Sequence, residues 1–157
     1  VSSPSVHPAT QADLDRLAAM WAAMASLHVE RDESFRLVPD AAARVRAFLA
    51  AELERPDARV LVAERAGRLC GFANAQIQER PPVFNPPRVG HLDNLYVEPG
   101  FRRGGVATAL VEECRAWLRC RGITRWSARV HAWNHAALAL CARHGLEVEV
   151  HELAGSV

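Results

Sequence analysis

An α+β fold is expected from three features of the chain. These are a strand followed by two helices, a hairpin-like pair of apolar strands in the middle, and a strand–helix–strand second half. Together they give the order βααβββαβαβ. Strands joined by tight turns pair antiparallel, whereas a helical crossover returns the chain parallel, so the sheet is partly antiparallel and not doubly wound. The 157 residues, 50% of them hydrophobic, read as one domain over residues 1–157 with enough apolar side chain for a sizeable core.

Residues 5–8 read as a short opening strand. Thr10 with Asp13 three residues on forms a capping-box pattern, in which Asp replaces the usual longer Glu or Gln. Leu14, Leu17, Trp21, Met24 and His28 then recur at helical spacing, which predicts a first helix over residues 11–30. A polar break at 30–33 follows. Pro39-Asp40 opens a second helix with apolar positions Val45, Phe48, Leu49 and Leu53, and Pro56 lies just past its end. Strands are predicted at 59–65 and 68–78, joined by Ala66-Gly67. The proline-dense stretch 80–88 reads as a loop or strand edge, and the next strand as 89–97. Ala107, Leu110, Val111, Cys114, Trp117 and Leu118 mark one face of a helix over 106–121, which Gly122 stops. A strand over 124–131, a helix over 134–144 ended by Gly145, and a final strand through Val150 complete the order.

Composition excludes several functions. A formal net charge of +1 supplies no field to draw the chain onto nucleic acid or anionic lipid. No apolar run approaches the roughly 18 residues of a membrane span, and the N-terminal Val1-Ser-Ser-Pro-Ser-Val-His lacks the pattern of a leader. A cytoplasmic protein without nucleic-acid or membrane partners is the expectation. Cys70, Cys114, Cys120 and Cys141 form no Cys-x-x-Cys pair, so they read as reduced thiols, the first three packed as small hydrophobes. His131 and His135 are four apart but straddle a strand end and a helix start, with no glutamate between them in a His-Glu-x-x-His pattern. No metal is expected.

The most informative stretch joins the strand ending at Val97 to the helix starting near Val106. Its Arg102-Arg103-Gly104-Gly105-Val106-Ala107 run has the makings of an anion site. The first N–H groups of a helix lack intrahelical partners, and the helix dipole favours negative charge there. Gly104 and Gly105 permit close approach of the main chain, and Arg102 and Arg103 can add charge-assisted bonds. No Lys-Ser/Thr follows the glycines, and their spacing is not that of a dinucleotide fingerprint, so two other phosphate loops are excluded.

In register, Arg102, Gly105 and Ala107 satisfy Arg/Gln-x-x-Gly-x-Gly/Ala, the signature of the GNAT acetyltransferases, which the sequence resembles over nearly its whole length. The preceding Leu95-Tyr96-Val97-Glu98-Pro99 is similar to the family's strand end. A second stretch, Asn134 to Leu146, resembles Asn-x-x-Ala-x-x-Leu/Phe-Tyr-x-x-x-Gly-Phe through Asn134, Ala137, Leu140 and Gly145. The resemblance implies a mostly antiparallel central sheet with helices on both faces, splayed between strands 4 and 5. It also implies that the loop binds the pyrophosphate of coenzyme A, that Leu95, Tyr96 and Val97 lie along the pantetheine arm, and that Asn134 bonds near the splay. Asn134 is equally a plain helix N-cap, and the two roles are compatible.

The implied activity is transfer of an acetyl group from acetyl-CoA to a primary amine of a small molecule or peptide, by direct attack in a ternary complex. A homodimer is implied as well. One departure opens an alternative. Cys141 stands where the family carries the tyrosine that protonates the leaving thiolate, and the only tyrosine, Tyr96, should face the core by strand alternation. Cys141 can donate the proton, water can, or the thiolate can leave unprotonated; Cys141 can also merely fill space. A non-catalytic acyl-CoA-binding or sensor protein on the same fold is therefore the second reading.

An ammonium has no lone pair, so transfer needs a base. His91 and Asp93, at i and i+2 of one strand, share a face. His91 aligns with the glutamate base of many relatives, an imidazole is a side chain suited to accepting a proton, and Asp93 can orient it or anchor the amine. By resemblance the Val97 N–H stabilises the oxyanion. The acceptor wall is expected at 28–35, with His28, Glu30, Asp32, Glu33 and Phe35, and in the loop 80–88.

Overall fold

Three of the four junctions in the central sheet join antiparallel neighbours. β1 (Ser5–Pro8) pairs with β2 (Ala58–Arg65), β2 with β3 (Arg68–Glu79), and β3 with β4 (Arg88–Val97), while β5 (Trp126–Ala128) lies parallel to β4. The strand order is β1-β2-β3-β4-β5. The computed structural model describes residues 3–152, 154 and 155; Val1, Ser2, Leu153, Ser156 and Val157, which the 1–157 reading included, lie outside the described residues.

Thr10 starts the first helical segment as expected, its N–H and hydroxyl both donating to Asp13 at 2.7 and 2.9 Å. A 3₁₀ turn leads into α1 (Leu14–Val29), and α2 (Ala41–Glu54) packs beside it. Leu14, Leu17, Met20 and Leu49 from these helices meet Val60, Val62, Phe72 and Tyr96 on one face of the sheet. α3 (Val106–Cys120) covers the other face, setting Val106, Leu110, Cys114 and Leu118 against Leu61, Ala73, Ala75 and Leu92. Burying one Leu or Phe contributes roughly 1.5–3 kcal/mol, so two separate apolar layers clamp the sheet from both sides. α4 (His135–Arg143) adds Leu140 to the α3 layer.

β4 holds the feature that organises the rest. Against β3, Leu92 pairs with Ala75 and Asn94 with Asn74, so Asp93 is an extra residue with no partner. This is a β-bulge, and it changes which face the strand presents: Leu92 points to α3, but so do Leu95 and Val97. Tyr96 packs on the α1–α2 side, 7% exposed, as alternation from its neighbours predicts.

Several expectations are corrected. The strand expected at 124–131 shrinks to three residues, because its parallel pairing with β4 stops at Leu92↔Ala128, just before the bulge. The final strand does not form among the described residues; Val148 and Val150 are 70% and 80% exposed, and β5 offers too short an edge to pair with. Phe48, one of the apolar positions of α2, is 47% exposed, whereas Glu52, on the stripe of Val45 and Leu49, is 4% exposed. Cys70 and Cys114 are buried as expected, but Cys120, in the last turn of α3, is exposed.

Candidate active site

Between β4 and α3 the chain makes a 3₁₀ turn (Pro99–Phe101) and then a loop of alternating handedness. Arg103 has φ of 60° and Gly105 φ of 79°, while Gly104 between them lies outside the left-handed region. Such alternation turns successive N–H groups toward a common point. Among the described residues, the N–H groups of Arg103, Gly104, Gly105, Val106, Ala107 and Thr108 have no acceptor. They lie at the positive end of a 15-residue helix, where negative charge is favoured.

The two glycines differ in what they do. At Gly105 an added Cβ would meet nothing within 4 Å, so its positive φ is the reason for glycine there. At Gly104 a Cβ would overlap the guanidinium of Arg65, from the end of β2, whose Nη2 donates to the Gly104 carbonyl at 2.5 Å. The space beside Gly104 is thus filled from within the chain. Arg102 turns back rather than outward: its Nε donates to the Val97 carbonyl at 2.9 Å, and its guanidinium lies 6.0 Å from the Tyr96 ring centre. Just upstream, Glu98 accepts from Arg16 of α1 and, at 3.0 Å, from Arg68 of β3, so the strand end is held from two sides.

His91 and Asp93 do come together. His91 Nε2 lies 3.7 Å from Asp93 Oδ1, their side chains 18% and 26% exposed. His91 Nδ1 is 2.9 Å from Ser127 Oγ, its partner in the parallel register with β5. Burial pushes the Asp93 carboxyl above its ordinary value, opposed by a hydrogen bond from Gln76 and by His91, and reinforced by Glu52. Beyond this pair a polar seam crosses the α1–α2 face. The Asn74 side-chain N–H donates to buried Glu52 at 3.2 Å, and Arg55 donates to the same carboxylate at 2.7 Å.

Glu52, Asn74, Gln76 and Ser127 are among the residues here that were not singled out from the sequence. Glu52 carried a signal, a carboxylate three residues after Leu49 on the inward stripe of α2. Asn74 and Gln76 carried a weaker one, as polar residues on the face of β3 that also bears Phe72. Ser127 had none, since only the tertiary register brings it to His91.

Asn134 is the N-cap of α4, its Oδ1 accepting from the Ala137 N–H at 3.1 Å. Cys141 lies one turn from the helix end, half-buried, with no hydrogen bond to the His91–Asp93 pair. Burial pushes its thiol up, which keeps it protonated at neutral pH. No group of three or more His, Cys, Asp and Glu side chains among the described residues is placed to hold a metal ion.

The expected acceptor wall is an aromatic cluster. His28 and Phe35, from the end of α1 and the 3₁₀ turn Glu33–Phe35, have ring centres 5.2 Å apart. Trp133 and His131, from the loop before α4, join them within 5.5 Å. Hydrogen bonds from Ser34 lower the Asp32 carboxyl, with a smaller contribution from His131. Glu30 and Glu33 are exposed, and Glu33 is paired with Arg36. The loop at 80–87 closes on itself, with the Arg80 N–H donating to the Pro87 carbonyl at 2.8 Å and its guanidinium 4.8 Å from the Phe84 ring.

The chain is similar to several known proteins. A mycothiol acetyltransferase of Salinispora arenicola is 38% identical over 87 residues, 55% of this chain. That stretch spans only 27% of the relative's own length. An aminoglycoside antibiotic 6'-N-acetyltransferase from Acinetobacter haemolyticus superposes with a TM-score of 0.74 at 21% identity, over 98% of this chain and 99% of that one. A predicted acetyltransferase from Clostridium acetobutylicum, solved with acetyl-CoA, gives 0.78 at 17% identity, over 98% and 96%. At these identities the structural likeness establishes the fold, a mixed sheet clasped by helices. The acetyltransferase (GNAT) family itself matches residues 21–146, most of the chain, and the protein belongs to that family.

Proposed function

We propose that this chain is an acetyl-CoA-dependent N-acetyltransferase, passing an acetyl group to a primary amine of a small molecule or peptide by direct attack in a ternary complex. The observation that carries the reading is the run of unpartnered N–H groups from Arg103 to Thr108, between the end of β4 and the first turn of α3. Acetyl-CoA supplies the activated thioester. The loop residues Arg103 to Ala107 hold its diphosphate by their N–H groups, and Leu95 to Val97 line the arm that leads to the acyl carbon. The acetyl-CoA complex of the Clostridium acetobutylicum structure supports this assignment of cosubstrate.

His91 accepts the proton lost by the amine. With Nδ1–H donated to Ser127 Oγ, the Nε2 lone pair is free beside Asp93, whose negative charge stabilises the imidazolium as it forms. The Val97 N–H faces the developing oxyanion in this scheme. Cys141 retains its proton and stands as donor to the departing thiolate. The aromatic cluster of His28, Phe35, His131 and Trp133 forms the acceptor wall, with Asp32 as a carboxylate for a cationic amine. The protein works in the cytoplasm in this reading; no described helix is long and apolar enough to cross a membrane.

Release of free CoA by purified protein, followed across a panel of amines that includes aminoglycosides and a cysteinyl amine, tests the assignment. Amine-dependent release is expected. Tight CoA binding with no amine accelerating release would support instead the acyl-CoA-binding or sensor reading, which the missing tyrosine motivates.

A further inference from the structure

The CoA-binding reading assigns the loop to the diphosphate but leaves open what keeps its N–H groups turned outward. Two adjacent residues without Cβ, Gly104 and Gly105, join through a peptide plane that rotates with little steric resistance. Rotating that plane by half a turn would replace the Gly105 N–H with a carbonyl oxygen facing the cradle. A carbonyl there repels a diphosphate.

Arg65 sits where it prevents this. It closes β2, and its guanidinium reaches across to a loop 39 residues further along the chain. Nη2 donates to the Gly104 carbonyl at 2.5 Å, and the guanidinium fills the space that a side chain at Gly104 would occupy. Arg65 Nε is buried without an acceptor among the described residues, and the hydrogen bond that the guanidinium does make there is the one from Nη2 to the Gly104 carbonyl. Among the described residues the 104–105 peptide is trans, as is every peptide other than Asn85–Pro86. In a trans peptide the C=O and N–H point in opposite directions. Fixing the Gly104 oxygen toward β2 therefore aims the Gly105 N–H away from β2.

We propose that Arg65 is a positioning residue for the diphosphate cradle, holding the Gly104–Gly105 peptide in the one orientation that presents a donor to the ligand. The proposal rests on the reading of this loop as the CoA site. It explains why glycine is needed at 104 for a reason separate from that at 105. It also makes a third arginine, distant in sequence from Arg102 and Arg103, part of the cradle's support.

The test compares two ligands on the full chain, CoA and pantetheine, which lacks the diphosphate. Amide chemical shifts of ¹⁵N-labelled protein follow both titrations, since they read weak ligands as well as strong ones. Arg65→Met should weaken CoA about tenfold, the scale of one lost charge-assisted bond, and leave pantetheine within about twofold. Arg65→Lys, which keeps a cationic donor, should stay within about threefold of the wild type for CoA. Should Arg65→Met fail to fold, Gly104→Ala expels the same guanidinium and should show the same selective loss. Unchanged CoA affinity in these variants, or an equal loss for both ligands, overturns the proposal while leaving the loop's role intact. Wild-type protein that binds no CoA overturns the loop reading, and this proposal with it.

Discussion

Replacing Gly105 by alanine separates a backbone cost from a steric one. Gly105 has φ of 79° and ψ of −2°, and a Cβ added there would meet nothing within 4 Å. No clash contributes, so the whole effect is the cost of placing an L-residue in the left-handed region, about 1–2 kcal/mol. Unfolding entropy near roughly 2.1 cal/mol/K per residue gives about 0.33 kcal/mol/K for 157 residues, or about 3 °C per kcal/mol. Gly105→Ala should therefore lower the melting temperature by about 3–6 °C, and Gly105→Asn by about half as much, since Asn visits this region more readily. Gly100→Ala is the control. Its Cβ also meets nothing within 4 Å and its φ is not left-handed, so its melting point should stay within about 1 °C of the wild type. Calorimetry without ligand measures all three. If Gly105→Ala melts with the control, the loop is not held in the left-handed conformation and the alternating-handedness account of the cradle fails. Gly105→Val should, in addition, weaken CoA binding, and unchanged affinity would refute a role for residue 105 in that site.

Asp93→Asn should stabilise the protein at neutral pH. Burial raises the carboxyl above 3.8 in the folded chain, so the fold holds that proton more tightly than the unfolded chain does. Its contribution is complete below that value and is lost as pH rises through the higher folded value, so the variant's gain in melting temperature should shrink toward acid. A gain independent of pH would rule out burial of the charge as the cause. His91→Ala should flatten the acidic limb of the kcat/KM profile, and an intact limb would remove His91 as the base. Cys141→Ser should retain more turnover than Cys141→Ala if the protonated thiol serves the leaving group, whereas equal rates would reduce Cys141 to packing. Asn134→Ala should cost about 1 kcal/mol of stability through the lost cap, read in a urea titration.

Helices and the strand-to-helix turn before α3 were legible because their signals are local. α3 announces itself by Leu110, Val111, Cys114, Trp117 and Leu118 on one stripe, and the loop by two glycines against a helix start. The bulge left a trace that simple alternation overlooks. Leu92 and Leu95 face the same layer at a spacing of three, where an unbroken strand would use two or four. β5 was read too long because its length depends on where β4 stops being a partner, which no local pattern encodes. Phe48 is apolar yet lies off the stripe that Val45, Leu49 and Glu52 share, so hydrophobicity alone does not mark which α2 positions are buried. Arg65 and Ser127 were invisible for a plainer reason. Their partners, Gly104 and His91, are more than thirty residues away along the chain and meet them only in the folded sheet.

The unpaired residue at Asp93 acts as a parity switch. Upstream of it an even-numbered position, Leu92, looks toward α3; downstream an even-numbered position, Tyr96, looks toward α1 and α2. The same count governs the main chain, because successive N–H groups of a strand address alternate edges. Excising a single residue there would do more than turn Tyr96 into the wrong layer. It would exchange the edges addressed by the amides of Leu95 to Val97, sending to β3 those that now border the gap beside β5. One surplus amino acid thus decides which bank of that gap carries hydrogen-bond donors.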